Sequence, residues 1–119
     1  MRAAPPLFMV VLLGLACAMS AVRADEFVPG TEDIPLMPGL SPLSNSALVF
    51  DKPEGRIVET RTLGTTTRSK VEAFYAASLP QLGWTPLGRD RWRRDAERLT
   101  LDFSQASGKL AVGFTLSPN

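Results

Sequence analysis

The chain has 119 residues, 45% of them hydrophobic and 21% charged, with 13 lysines and arginines against 12 acidic residues, one cysteine and no histidine. The absence of histidine removes the commonest general base and the commonest metal ligand together. A net charge of +1 argues against a general polyanion binder.

Residues 1–24 read as an export signal. Arg2 supplies the positive start, Leu7 to Ala16 (LFMVVLLGLA) the apolar stretch, and Val22-Arg23-Ala24 a cleavage site with small residues ahead of Asp25-Glu26. A retained anchor is the rival reading, but this run is only half of the about 20 apolar residues that a spanning helix needs. Lipidation at Cys17 is a second rival, weakened by Gly14, which stands where lipoprotein signals place leucine. Cleavage after Ala24 removes Arg2, Arg23 and Cys17 and takes the net charge from +1 to −1. The mature chain then has neither histidine nor thiol. Zinc sites and cysteine or histidine catalysis are thereby excluded, and in an oxidising compartment the fold must rely on packing or on a partner. The expected location is the periplasm, with a lipid anchor at Cys17 or secretion as alternatives, and no stable membrane span after signal removal.

Residues 25–46 carry prolines at 29, 35, 38 and 42 and glycines at 30 and 39, which oppose helix and central strand and predict an extended arm. Phe27, Val28, Ile34, Leu36, Met37, Leu40 and Leu43 make it more apolar than a solvated linker. Two readings stay open: an arm laid across the domain's own sheet, or a segment that docks on another protein.

A single domain is expected over residues 47–119. Ala47 to Phe50 is a short apolar run, Asp51 to Gly55 a turn, and Arg56 to Leu63 a strand, together a hairpin. Val58, Thr60 and Thr62 are assigned inward, because burying Glu59 and Arg61 instead would cost far more than burying two threonines. Ser69-Lys70-Val71-Glu72 has the pattern of a capping box, and Val71, Phe74, Tyr75, Ser78, Leu79 and Leu82 recur at helical spacing. Pro80 and Gly83 end this helix near Leu79. Strands follow at Trp84 to Leu87, Arg91 to Asp95, Arg98 to Phe103 and Lys109 to Leu116, with a turn at Gln105 to Gly108. The expected fold class is α+β: one helix packed on an antiparallel sheet of about five or six short strands.

No motif names a reaction. Gly64 to Val71 (GTTTRSKV) lacks the glycine before and the hydroxyl residue after the lysine that a phosphate-cradling loop requires. Arg89, Arg91, Arg93, Arg94 and Arg98 surround Trp92, but Asp90, Asp95 and Glu97 dilute them, so nucleic acid is not an expected partner. An exposed hairpin with charges paired across strands explains the same residues. Asp90, Asp95, Glu97 and Asp102 are the carboxylates left for catalysis, and they read as solvated ion-pair partners. No residue pattern calls for a cofactor or a metal. Candidate contact residues are Ile34, Leu36, Met37 and Leu40 in the arm, and Arg89, Arg91, Trp92, Arg93 and Arg94 in the hairpin.

Phe74-Tyr75 followed by Leu79-Pro80-Gln81-Leu82-Gly83-Trp84 resembles a layout, FY…LP.LGW and then a β-meander, found in small exported or lipidated Gram-negative bacterial proteins of unknown function. The resemblance spans roughly Arg56 to Pro118. It implies a fold and an envelope setting and carries no catalytic residue. The functional expectation is a non-catalytic binding or accessory module contacting another protein or an envelope component. A carboxylate-based enzyme and a self-associating structural domain are the alternatives.

Overall fold

Alternating apolar residues and two-residue turns build most of this molecule. The computed structural model describes residues 26–119, so the signal segment and its cleavage site lie outside the described residues. Seven strands form one antiparallel sheet: β1 (Leu40–Pro42), β2 (Leu48–Lys52), β3 (Gly55–Gly64), β4 (Thr85–Gly88), β5 (Arg91–Arg94), β6 (Glu97–Ala106) and β7 (Lys109–Pro118). The one α-helix among the described residues, α1 (Arg68–Ser78), runs into a 3-10 turn at Leu79–Leu82. The order across the sheet is β1-β3-β7-β6-β5-β4, and β2 also pairs with β3. Because β7 occupies β3 from Val58 to Gly64, β1 and β2 must share the opposite edge, β2 along residues 55–59 and β1 along 62–64. The α+β class holds, but the sheet is larger than expected, and β3, β6 and β7 are ten residues long rather than short.

Local chemistry explains the extra length. Gln105 and Ala106, expected in a turn, are strand residues opposite Leu110 and Lys109. The turn itself is only Ser107-Gly108, both at positive φ (54° and 77°), the backbone that matches the twist of a two-residue hairpin. Asp51, Lys52 and Gly55 are likewise strand residues around a two-residue turn at Pro53-Glu54. β1 was hidden by Gly39 and Pro42, yet an edge strand tolerates a proline whose missing amide no neighbour needs.

The helix begins two residues earlier than the capping-box pattern placed it. Thr67 is the cap, its hydroxyl accepting from the Lys70 amide at 3.2 Å, and Ser69 lies inside the helix. Gly83 terminates the 3-10 turn with φ at 94°, as its lack of a Cβ permits.

One face of the sheet is covered. Val58, Leu99, Leu101, Leu110, Val112, Phe114 and Leu116 from the strands pack against Val71, Tyr75 and Leu79 of the helical segment and against Val28, Ile34 and Leu40 of the proline-rich segment. Thr60 and Thr62 point inward as expected and are fully paired: Thr60 donates to the Pro29 carbonyl at 2.6 Å and Thr62 to the Val112 carbonyl at 3.0 Å. Residues 26–36 loop back on themselves, with Phe27 bridged to Pro35 and the Val28 amide donating to the Ile34 carbonyl at 2.8 Å. Gly30 takes φ of 89° in this loop, and a Cβ there would stand 2.6 Å from a Val58 methyl. The close approach of loop to sheet therefore depends on glycine.

Candidate functional site

Strand alternation divides the arginine cluster between the two faces of the sheet. Trp92 and Arg94 lie on the covered face, where Trp92 is 8% exposed and belongs to the core. Arg91 and Arg93, one residue out of phase, lie exposed on the other face. Arg98, opposite Arg93, and Arg61, in line with Gly113 and Asp102, share that face. No helix covers it. Its acidic residues among those described are Glu59 and Asp102, both exposed, and Asp102 sits over Gly113, where a Cβ would come within 2.8 Å of the carboxylate. Among the described residues Arg61, Arg91 and Arg93 make no ion pair; Arg98 donates to the Asn119 side chain at 3.2 Å. At the β2 edge of this face, opposite Glu59 and Ile57 of β3, Leu48 and Phe50 are 49% and 48% exposed. The uncovered face thus carries arginines on β3, β5 and β6, on either side of β7, and apolar residues at the β2 edge.

Arg94 serves the interior instead. Its guanidinium donates to both Asp33 carboxylate oxygens at 2.9 and 3.1 Å and to the Leu82 carbonyl at 3.0 Å. It also lies over the Trp84 ring, 4.4 Å from the centroid. This clamp ties the proline-rich loop to the end of the helical segment and to β5. Removal of either partner orphans the other, and a double-mutant cycle of Asp33→Ala and Arg94→Ala is expected to return a coupling of about 1 kcal/mol in chemical unfolding. Additive effects would mean that the pair contributes nothing.

The arm residues chosen as candidate contacts are used inside the chain. Ile34 and Leu40 are 1% and 5% exposed, and Leu36 and Met37 pack against the core. The segment leaves Phe27 (43%) and Leu43 (38%) at the surface. Phe27, with Pro35, Phe74, Ala77 and Leu82, lines a shallow apolar groove of about 490 Å³.

Arg89 enters a cluster that periodicity did not reveal. Glu72, read from the sequence as a capping residue, accepts from Arg68 and Arg89 at 3.1 Å each, and Asp90 accepts from Arg68 at 2.8 Å. Asp90 reaches the helix because its left-handed backbone, φ 62°, turns the chain between β4 and β5. The Arg68 guanidinium also lies 4.6 Å from the Phe103 ring centre. Burial pushes the Asp90 carboxyl above its ordinary range, with Arg68 opposing, while hydrogen bonding from Arg89 holds the Glu72 carboxyl below its own. Two carboxylates with pKa values driven apart are the arrangement used in general acid–base chemistry, and these line a pocket of about 240 Å³ with Tyr75, Trp92 and Leu101. Here both are neutralised by arginines, which suits a structural tie between α1 and the β4–β5 turn. Sequence spacing gave no sign of the pair, because Glu72 and Asp90 meet only when the helix packs.

Among the described residues, no group of three or more acidic or cysteine side chains is placed to hold a metal ion, and no helix is long and apolar enough to cross a membrane. No family model matches the chain, and no curated protein or solved structure shows significant similarity to it.

Proposed function

We propose that this is a small exported envelope protein, resident in the periplasm, that acts by contact as a non-catalytic binding or accessory module. The export signal at residues 1–24 supports the address. The observation that carries the contact role is the uncovered sheet face, on which Arg61, Arg91 and Arg93 stand exposed with no ion-pair partner among the described residues, and whose β2 edge carries the exposed apolar Leu48 and Phe50. Like charges on one surface repel one another mildly in isolation and become favourable when an anionic surface meets them. The partner is therefore an acidic protein surface or an anionic envelope component that also covers apolar area. The resemblance of the helix exit, Phe74 to Trp84, to small exported Gram-negative proteins supports the same setting.

Crosslinking in intact cells tests this reading. The triple variant Arg61→Ser, Arg91→Ser, Arg93→Ser is expected to lose captured partner while its stability changes by no more than about 1 kcal/mol, as is usual for exposed side chains without partners. Undiminished capture by a folded triple variant would remove the arginine face from the function.

A further inference from the structure

The sheet has three edge segments, and two of them are blunted. β1 ends on Pro42, and β4 contains Pro86 followed by a register shift between Pro86 and Gly88. Prolines and irregularities of this kind discourage further strand pairing. β2, reading Leu48-Val49-Phe50-Asp51-Lys52, has neither device, is exposed along its whole length, and among the described residues pairs only with β3.

The phase of its backbone follows from the hairpin. A two-residue turn makes Lys52 and Gly55 the hydrogen-bonded closing pair, so Leu48, Phe50 and Lys52 direct their amides and carbonyls to β3. The amides and carbonyls of Val49 and Asp51 therefore point away from the sheet. The same phase recurs further along β3, where the Arg61 carbonyl faces this edge and accepts from the Leu43 amide at 2.9 Å.

We infer that β2 pairs antiparallel with β2 of a second copy of this chain, about a two-fold axis at Phe50. Only this symmetric register satisfies all four outward groups within the strand, because Val49 of each copy then faces Asp51 of the other. Centring on Val49 would require Ala47, outside the strand, to face Asp51, and centring on Asp51 would set two like charges against each other. In the favoured register the Phe50 rings meet as a non-hydrogen-bonded pair, the closer of the two antiparallel spacings. The two-fold axis is normal to the sheet, so the uncovered faces of both copies look the same way and their arginines form one surface. A five-residue edge is small beside the roughly 1,200 Å² of a stable interface, so the pairing is concentration-dependent. This inference stands apart from the partner proposed above: it takes the β2 edge and the Phe50 rings, and leaves Arg61, Arg91 and Arg93 open to that partner.

A cysteine at position 50 tests it directly. The full chain is exported and purified carrying Cys17→Ser and Phe50→Cys, which leaves one thiol whether or not the signal has been removed. Under mild oxidation it is expected to form a disulfide-linked dimer at least about ten-fold faster than Leu48→Cys, Val49→Cys or Lys109→Cys, because only residues facing across the axis meet disulfide geometry. Sedimentation of the chain with Phe50 intact should show a dimer fraction that rises with concentration, and Val49→Pro, which deletes an outward amide and no bond to β3, should lower it. A Phe50→Cys rate no greater than the controls would overturn the register. A monomer at every concentration would overturn the second copy as the occupant of this edge.

Discussion

Ile34→Ala is expected to destabilise the fold by about 3 kcal/mol, a large share of the 5–15 kcal/mol that holds a domain of this size together. The side chain is 1% exposed and belongs to the same cluster as Val58, Leu79 and Phe114, so shortening it leaves a cavity that the surrounding strands cannot close. Its backbone is equally committed, since the Ile34 carbonyl accepts the Val28 amide and Asp33 next to it is held by Arg94. Thermal unfolding should move down by roughly 10–20 °C. Leu43→Ala, in the same proline-rich segment but 38% exposed, should move it by only a few degrees. Equal, small shifts for both would show that the segment rests loosely on the domain and that its apolar residues are free for another protein.

Tyr75 gives the second large effect and the only one with a pH signature. Its ring is 1% exposed and meets Phe74 and Phe114 edge-on, with centroids 4.9 and 5.5 Å away. Its hydroxyl donates to the Pro35 carbonyl at 2.6 Å and accepts the Met37 amide at 3.2 Å, which joins helix to loop. Tyr75→Ala removes all of this and is expected to cost about 3–5 kcal/mol. Tyr75→Phe keeps the ring but orphans two backbone groups, at about 1–3 kcal/mol.

Burial raises the phenol well above its ordinary pKa of 10.0, with the Met37 amide opposing weakly. A folded-state pKa above the unfolded one means that stability is fully present below about pH 10 and declines as pH rises past it, by up to about 1.4 kcal/mol per pH unit. Tyr75 is the only tyrosine, so its absorbance at alkaline pH should report ionisation only as the fold opens. Tyr75→Phe removes this contribution. An unchanged alkaline limb in that variant, or free ionisation of Tyr75 near pH 10 in the folded protein, would contradict the buried hydroxyl.

Much of the sheet was legible because local rules decide it. The alternation through Val58, Thr60 and Thr62, and through Leu110 to Leu116, set both the strands and their buried face, and Pro80 with Gly83 ended the helix where expected. Thr67 displaced Ser69 as the cap because several hydroxyl residues precede the helix and spacing alone does not choose among them. Chain flanks were harder. Pro42 and Gly39 looked like breakers, but β1 needs only one bonded side.

The candidate site was legible as composition and opaque as geometry. Five arginines around Trp92 read as one patch, and strand alternation then split them: Arg91, Arg93 and Arg98 to the open face, Arg94 to the clamp with Asp33, and Arg89 to Glu72 across the turn. By itself the sequence determined the residue chemistry, the periodicities and the expected export address, all carried by neighbouring positions. Only the tertiary structure decided which charges stay unpaired, which apolar residues of the proline-rich segment are buried, and which sheet edge is left open. Those outcomes depend on partners such as Asp33 and Arg94, 61 residues apart, and separations of that length leave no periodic trace in a chain.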